Sequence, residues 1–238
     1  MNAAKFICVI GDVVGSRNLK GEKERSELQT KLEKCLRQIN QKKEGLVSPY
    51  TITLGDEFQV VLNDANRLFA DCWLVEHAVF PIKVRFSIGT GHLSTRINTE
   101  QALGMDGAAF HAARLGVNEL RKEGGLFKWT SYPVPPSSWV NSVLDLISHD
   151  SDHWKDKRLL VLHELLTGKS NVQQIAQKIG MSKIGAYKNI RAGALKTIAA
   201  LLNEISGLIN KRIGNDYGAT LSLPDKHSLA NADLAELQ

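Results

Sequence analysis

Two aspartates each follow a glycine at the point where an apolar run stops: Asp12 in Gly11-Asp12 and Asp56 in Gly55-Asp56-Glu57. Carboxylates at the end of one strand and the tip of a neighbouring hairpin are what a two-metal site needs. Hard Mg²⁺ takes a few such oxygens plus substrate phosphates, and the metals activate a hydroxyl and steady a leaving group. Asp12 and Asp56 are therefore the candidate metal ligands, with Glu57 as an auxiliary. The backbone amides that follow Asp12, through Val13, Val14, Gly15 and Ser16, could cradle a polyphosphate at the start of the next helix. The plainer alternative is that both Gly-Asp pairs only form turns.

A second set of candidate residues lies near the other end, in Asn171 to Arg191 (NVQQIAQKIGMSKIGAYKNIR). Ala176 stands where two helices would cross closely, Gly180 at the turn between them, and Ile175, Ile179, Met181 and Ile190 face inward. That spacing is what a helix-turn-helix requires. Ser182 would cap the second helix, and Ser182, Lys183, Ile184, Tyr187, Lys188 and Arg191 would face a DNA groove and its phosphates. A helical hairpin used for dimer contacts is the alternative.

The elements that must position these groups follow from periodicity. Phe6 to Ile10 is a continuous apolar run, the mark of a central strand buried on both faces. Residues 20–43 read as an amphipathic helix through Leu28, Leu32, Cys35, Leu36 and Ile39. Residues 50–54 and 58–62 flank Gly55-Asp56-Glu57 as a hairpin. A helix over 64–78, a strand over 82–89, a helix over 105–122 and a strand over 126–132 complete the first half. The first six elements are the βαββαβ unit of a ferredoxin-like sheet, with an αβ extension, which places the first strand beside the hairpin's second strand and Asp12 close to Asp56. Pro133, Pro135 and Pro136 end this unit. Helices over 139–147, 155–166, 172–179, from Lys183 onward and over 193–213 follow, so the expected class is α+β. The expected units are a palm-like domain over 1–136, a linker over 137–154, an all-α helix-turn-helix domain over 155–213 and a loose tail over 214–238.

Charge supports that division. The 238 residues carry 30 Lys plus Arg against 25 Asp plus Glu, a formal +5, with 43% apolar and 23% charged residues, values ordinary for a globular chain and far from disorder. Residues 150–213 hold +6, the tail −3 and residues 1–149 only +2, and within 167–213 Glu204 is the one acid among eight basic side chains. Such asymmetry suggests a nucleic-acid-binding part appended to a near-neutral one. Cys8, Cys35 and Cys72 have neither disulfide nor zinc spacing, and the N-terminal apolar run is too short for a membrane span or an export signal. A cytoplasmic protein without membrane contact is expected. His149 and His153 with Asp150 and Asp152 read as a polar linker, and Gly89-Thr90-Gly91 lacks the spacing of a P-loop.

Several segments resemble known families. Gly55-Asp56-Glu57-Phe58 is similar to the GGDEF signature of diguanylate cyclases, with Leu54 in place of the first glycine. Asp12-Val13-Val14-Gly15-Ser16 resembles the first metal-binding motif of class III nucleotide cyclases. Residues 84–91 (VRFSIGTG) and Ala112-Ala113-Arg114-Leu115 resemble a strand and a helix of the same family. The resemblance implies metal at Asp12 and Asp56, nucleotide contacts from the loop after Asp12 and from Gly55, and a transition-state phosphate contact from Arg114. Phe110 stands where cyclases have an asparagine and Ile52 where many have a base-selecting lysine, which argues against ordinary cyclase turnover. The segment 171–191 is similar to LuxR-type and sigma-like helix-turn-helix proteins, departing at Gly185, a poor helix former. The whole arrangement, over roughly residues 5–205, resembles the SatD family.

The expectation is a bacterial DNA-binding protein, a transcriptional regulator and homodimer acting on double-stranded DNA. Its cyclase-like half would bind a nucleoside triphosphate and Mg²⁺. The alternative is a Mg²⁺-dependent nucleotidyl cyclase or transferase that uses the helix-turn-helix for localisation or dimerisation. The blandest option is an interaction module in which both sites are vestigial.

Overall fold

A computed structural model describes residues 4–16, 21–53, 56–168 and 170–214; Gly55 and the tail beyond Gly214 lie outside the described residues. Five strands and eight helices follow one another as β1 (Lys5–Val13), α1 (Glu22–Asn40), β2 (Leu46–Ile52), β3 (Glu57–Leu62), α2 (Leu68–Ala78), β4 (Val84–His92), α3 (Ala108–Glu123), β5 (Phe127–Ser131), α4 (Ser138–Ser151), α5 (Asp156–Thr167), α6 (Val172–Ile179), α7 (Lys183–Ala192) and α8 (Leu195–Ile213). The protein is mixed α+β.

The strands form one sheet in the order β2-β3-β1-β4-β5. β1 pairs antiparallel with β3 and β4, β2 antiparallel with β3, and β5 parallel with β4 through the α3 crossover. Alternation along β1 divides the core. Ile7, Val9 and Val13 face the layer that holds Leu32, Leu36 and Trp73, while Cys8 and Ile10 face Ala109, Ala113 and Val117 of α3. Asp12 continues the second set, at the end of the strand.

Both sheet edges are protected. β2 starts four residues earlier than its apolar pattern predicts and runs through Pro49, with register shifts against β3 on either side of Ser48. A proline there is tolerated because β2 is an edge strand. At the opposite edge Asn141 of α4 acts as a surrogate strand: its side chain accepts from Trp129 N at 2.8 Å and donates to Trp129 O at 2.9 Å.

α3 lies unusually close to β4, and Gly89 is the reason. A Cβ at position 89 would collide with the backbone of Ala109 and Ala113, so glycine in the Ile88-Gly89-Thr90-Gly91 run serves close helix approach.

The second half builds on the first through α2. Trp73 of α2 stacks on Trp154 with ring centroids 5.5 Å apart, His163 of α5 donates from Nδ1 to Ala70 O at 2.7 Å, and Asn210 of α8 accepts from Ala65 N at 2.7 Å. One apolar cluster consequently runs from the sheet through α2 into α5 and α8. No single helix among the described residues is long and apolar enough to cross a membrane; α7 and α8 satisfy that test only as a pair, bent by 63°.

Candidate functional site

At the carboxyl end of β1 the strand register brings three charged residues side by side. Asp12 is opposite Glu57 on β3 and opposite Arg85 on β4, so all three project to the α3 face. Asp12 and Glu57 are buried, 3% and 7% exposed. A buried carboxylate requires counter-charge and hydrogen bonds, and α3 supplies them from Arg114 and Arg121, seven residues apart on one helix face. Asp12 Oδ2 accepts from Arg85 Nη1 at 3.0 Å and Arg121 Nε at 3.2 Å, and Asp12 Oδ1 from Arg121 Nη2 at 2.6 Å. Glu57 Oε2 accepts from Arg114 Nη1 and lies 3.7 Å from Arg121 Nη2. The hydrogen bond to Asp12 raises the pKa of Arg121 above its usual value.

Asp56 goes elsewhere. Its backbone is next to Asp12, with Val13 N donating to Asp56 O at 3.0 Å, but its carboxylate accepts from Ser16 Oγ at 2.5 Å. The Asp56 side chain lines a cleft of about 200 Å³ with Val13, Ser16 and the α1 residues Arg25, Leu28, Gln29 and Leu32. The expected closeness of Asp12 and Asp56 therefore holds for the backbones, while the carboxylates serve opposite faces. The reason is the two-residue period of a strand: Glu57 pairs with Asp12 on one face, which turns its neighbour Asp56 to the other.

Of the four amides expected to cradle phosphate, two are already bonded: Val13 N to Asp56 O and Val14 N to Lys83 O at 2.8 Å. Gly15, at φ +69°, and Ser16 complete the loop, and α1 begins only at Glu22. Among the described residues no group of three or more His, Cys, Asp or Glu side chains converges as a metal cage. The donor set at Asp12 and Glu57 does not fit a divalent cation, because both Asp12 oxygens and Glu57 Oε2 already accept from guanidinium groups.

Arg85 and Arg121 are the site residues that sequence reasoning missed. Each carried a usable signal: Arg85 sits in the Val84-Arg85-Phe86 alternation on the same face as Ser87 and Gly89, and Arg121 follows Arg114 by two helical turns.

The basic end of the chain forms two short helices joined by a glycine turn. Asn171 and Gln174 close a reciprocal capping box at the start of α6, each bond 2.9 Å. Gly180, at φ +67°, ends α6, with Met181 N donating back to Ala176 O at 3.0 Å. Ser182 caps α7 by accepting from Gly185 N at 3.0 Å. Gly185 thus occupies the first turn of α7, where it serves the cap rather than breaking the helix. Ala176, Ala186, Ile175 and Ile190 are buried, whereas Ser182, Lys183, Ile184, Tyr187, Lys188 and Arg191 are all exposed. Ile184 is 69% exposed, and Lys183 Nζ lies 6.0 Å from the Tyr187 ring centroid.

Comparison with known proteins gives three findings. The SatD family model matches residues 6–204. A bacterial light-regulated adenylyl cyclase is similar at 14% identity and a TM-score of 0.42, the match covering 53% of this chain and 43%, less than half, of that one. No curated protein sequence matches this chain.

Proposed function

This chain belongs to the SatD family, and we propose that it is a duplex-DNA-binding protein, acting as a transcriptional regulator. In this reading α6 and α7 are a helix-turn-helix carried by α5 and α8, and β1 to β4 with α1 and α2 are a ferredoxin-like, palm-type unit. The observation that carries the proposal is the surface of α7. All six outward side chains are exposed on a helix whose start is fixed by Ser182, and the surrounding segment 167–213 holds one acid among nine charged residues. Lys188 and Arg191 neutralise phosphates, and the amino-terminal residues Lys183 and Ile184 meet base edges in the major groove. Paired half-sites would call for a homodimer, one recognition helix per half-site.

The test is binding of a mixed-sequence DNA duplex, measured by fluorescence anisotropy over a series of KCl concentrations. The wild-type chain is expected to bind with an affinity that falls steeply with salt. Lys188→Ala/Arg191→Ala should weaken binding by about tenfold or more and reduce the slope of log K against log salt by about 2, one unit per lost phosphate contact. Unchanged affinity and slope in that variant would remove α7 from the DNA interface.

A further inference from the structure

The acidic pair at the end of β1 has its counter-charges built into the fold. Three guanidinium groups surround two carboxylates, a net +1: Arg85 and Arg121 hydrogen-bond Asp12, Arg114 hydrogen-bonds Glu57, and Arg121 lies within ion-pair distance of Glu57 at 3.7 Å. We infer that arginines, not a divalent cation, are the resident partners of Asp12 and Glu57, so that this sheet end is a metal-independent charge cluster.

Three observations carry the inference. First, Arg121 contacts Asp12 through Nε and Nη2, one bond to each oxygen. Such a two-pronged pair matches carboxylate geometry and is stronger than a single-point contact. A guanidinium does not deprotonate to make way for a metal. Second, the arginines are placed by the fold rather than by chance of a long side chain. Arg85 is the register partner of Asp12, and Arg114 and Arg121 share the α3 face that Gly89 lets close onto the sheet. Third, Asp56, the carboxylate that would have to join Asp12 around a cation, is bonded to Ser16 on the α1 side. A cation entering at Asp12 would meet three like charges and only two acidic groups, with both Asp12 oxygens and Glu57 Oε2 already accepting from guanidinium groups, and Mg²⁺ gives up its hydration water reluctantly. The inference is independent of the DNA-binding reading, since it concerns the opposite half of the chain and no residue of α7.

The experiment is a titration of the full chain with Mn²⁺, followed by electron paramagnetic resonance, together with thermal melting with and without Mg²⁺. The wild type should show no binding that depends on Asp12, and its melting temperature should not rise with Mg²⁺. Arg85→Gln/Arg121→Gln, which leaves the carboxylates exposed to a cation, should gain at least tenfold in Mn²⁺ affinity and lose that gain when Asp12→Asn is added. Arg121→Gln alone, altering a side chain that is 41% exposed, serves if the double variant does not fold. Mn²⁺ binding by the wild type that disappears in Asp12→Asn would overturn the inference. A folded arginine variant that remains blind to Mn²⁺ would overturn the role assigned to the arginines. Binding that survives Asp12→Asn lies away from the pair and agrees with the proposal.

Discussion

Burial sets the behaviour of individual side chains here more than their type does. Glu76 on α2 is almost wholly enclosed, and that desolvation pushes its carboxyl up from 4.5 to about 7, against the opposing pull of Lys83 and the Val84 N–H that it accepts. A carboxyl whose folded pKa lies above its unfolded value binds its proton more tightly when folded. Its stabilising effect is full below about pH 4.5 and is lost as the pH rises through about 7. Wild-type protein should accordingly lose urea resistance relative to Glu76→Gln between pH 5 and pH 8, because glutamine keeps an acceptor for Val84 N and carries no charge. Equal pH dependence in the two proteins would show that the buried carboxyl does not titrate in this window. His163, whose pKa burial lowers, contributes with the opposite sign, which is why the comparison is between the two proteins at each pH.

Among the elements, α3 has the most consequence for the charged cluster, since it delivers Arg114 and Arg121 to the sheet. Its position depends on the missing side chain at Gly89. Gly89→Ala should cost about 1–3 kcal/mol, the usual penalty of overpacking, or roughly 2–12 °C in melting temperature for a chain of this size. Circular dichroism melting measures it, and an unchanged melting temperature would mean that α3 moves away from β4 freely. The hairpin and the glycine turn before α7 were legible from turn residues and apolar spacing, because those signals are local. The true start of β2 was hidden by Pro49, which a central strand would not accept but an edge strand does. The order of strands decides that, and order is not a local property.

At the scale of the whole molecule the two compositional halves share one continuous apolar cluster, joined through Trp73 and Trp154. Removing either ring opens a cavity common to both. Trp154→Ala is expected to cost about 3–5 kcal/mol and to lower one cooperative transition rather than split it. Fluorescence of the remaining tryptophans and far-ultraviolet circular dichroism should report the same midpoint. Two separated midpoints would show that the helices from α5 onward unfold as a unit of their own. The +5 of the chain acquires a location at this scale: basic side chains cluster on an exposed helix held at one end, while Arg85, Arg114 and Arg121 of the sheet half are paired with Asp12 and Glu57.

The sequence by itself determined the succession of elements, the glycine turn and the Ser182 cap before α7, the outward basic face of α7 and the position of Asp12, Asp56 and Glu57 at or next to strand ends. Each of these depends on residue type and spacing within a few positions. Only the tertiary structure decided which carboxylates meet and what they meet. Asp12 joins Glu57 rather than Asp56 because strand register, set across β1, β3 and β4, assigns side chains to faces. Arg121 reaches Asp12 across 109 positions of sequence because α3 packs against the sheet where Gly89 permits it.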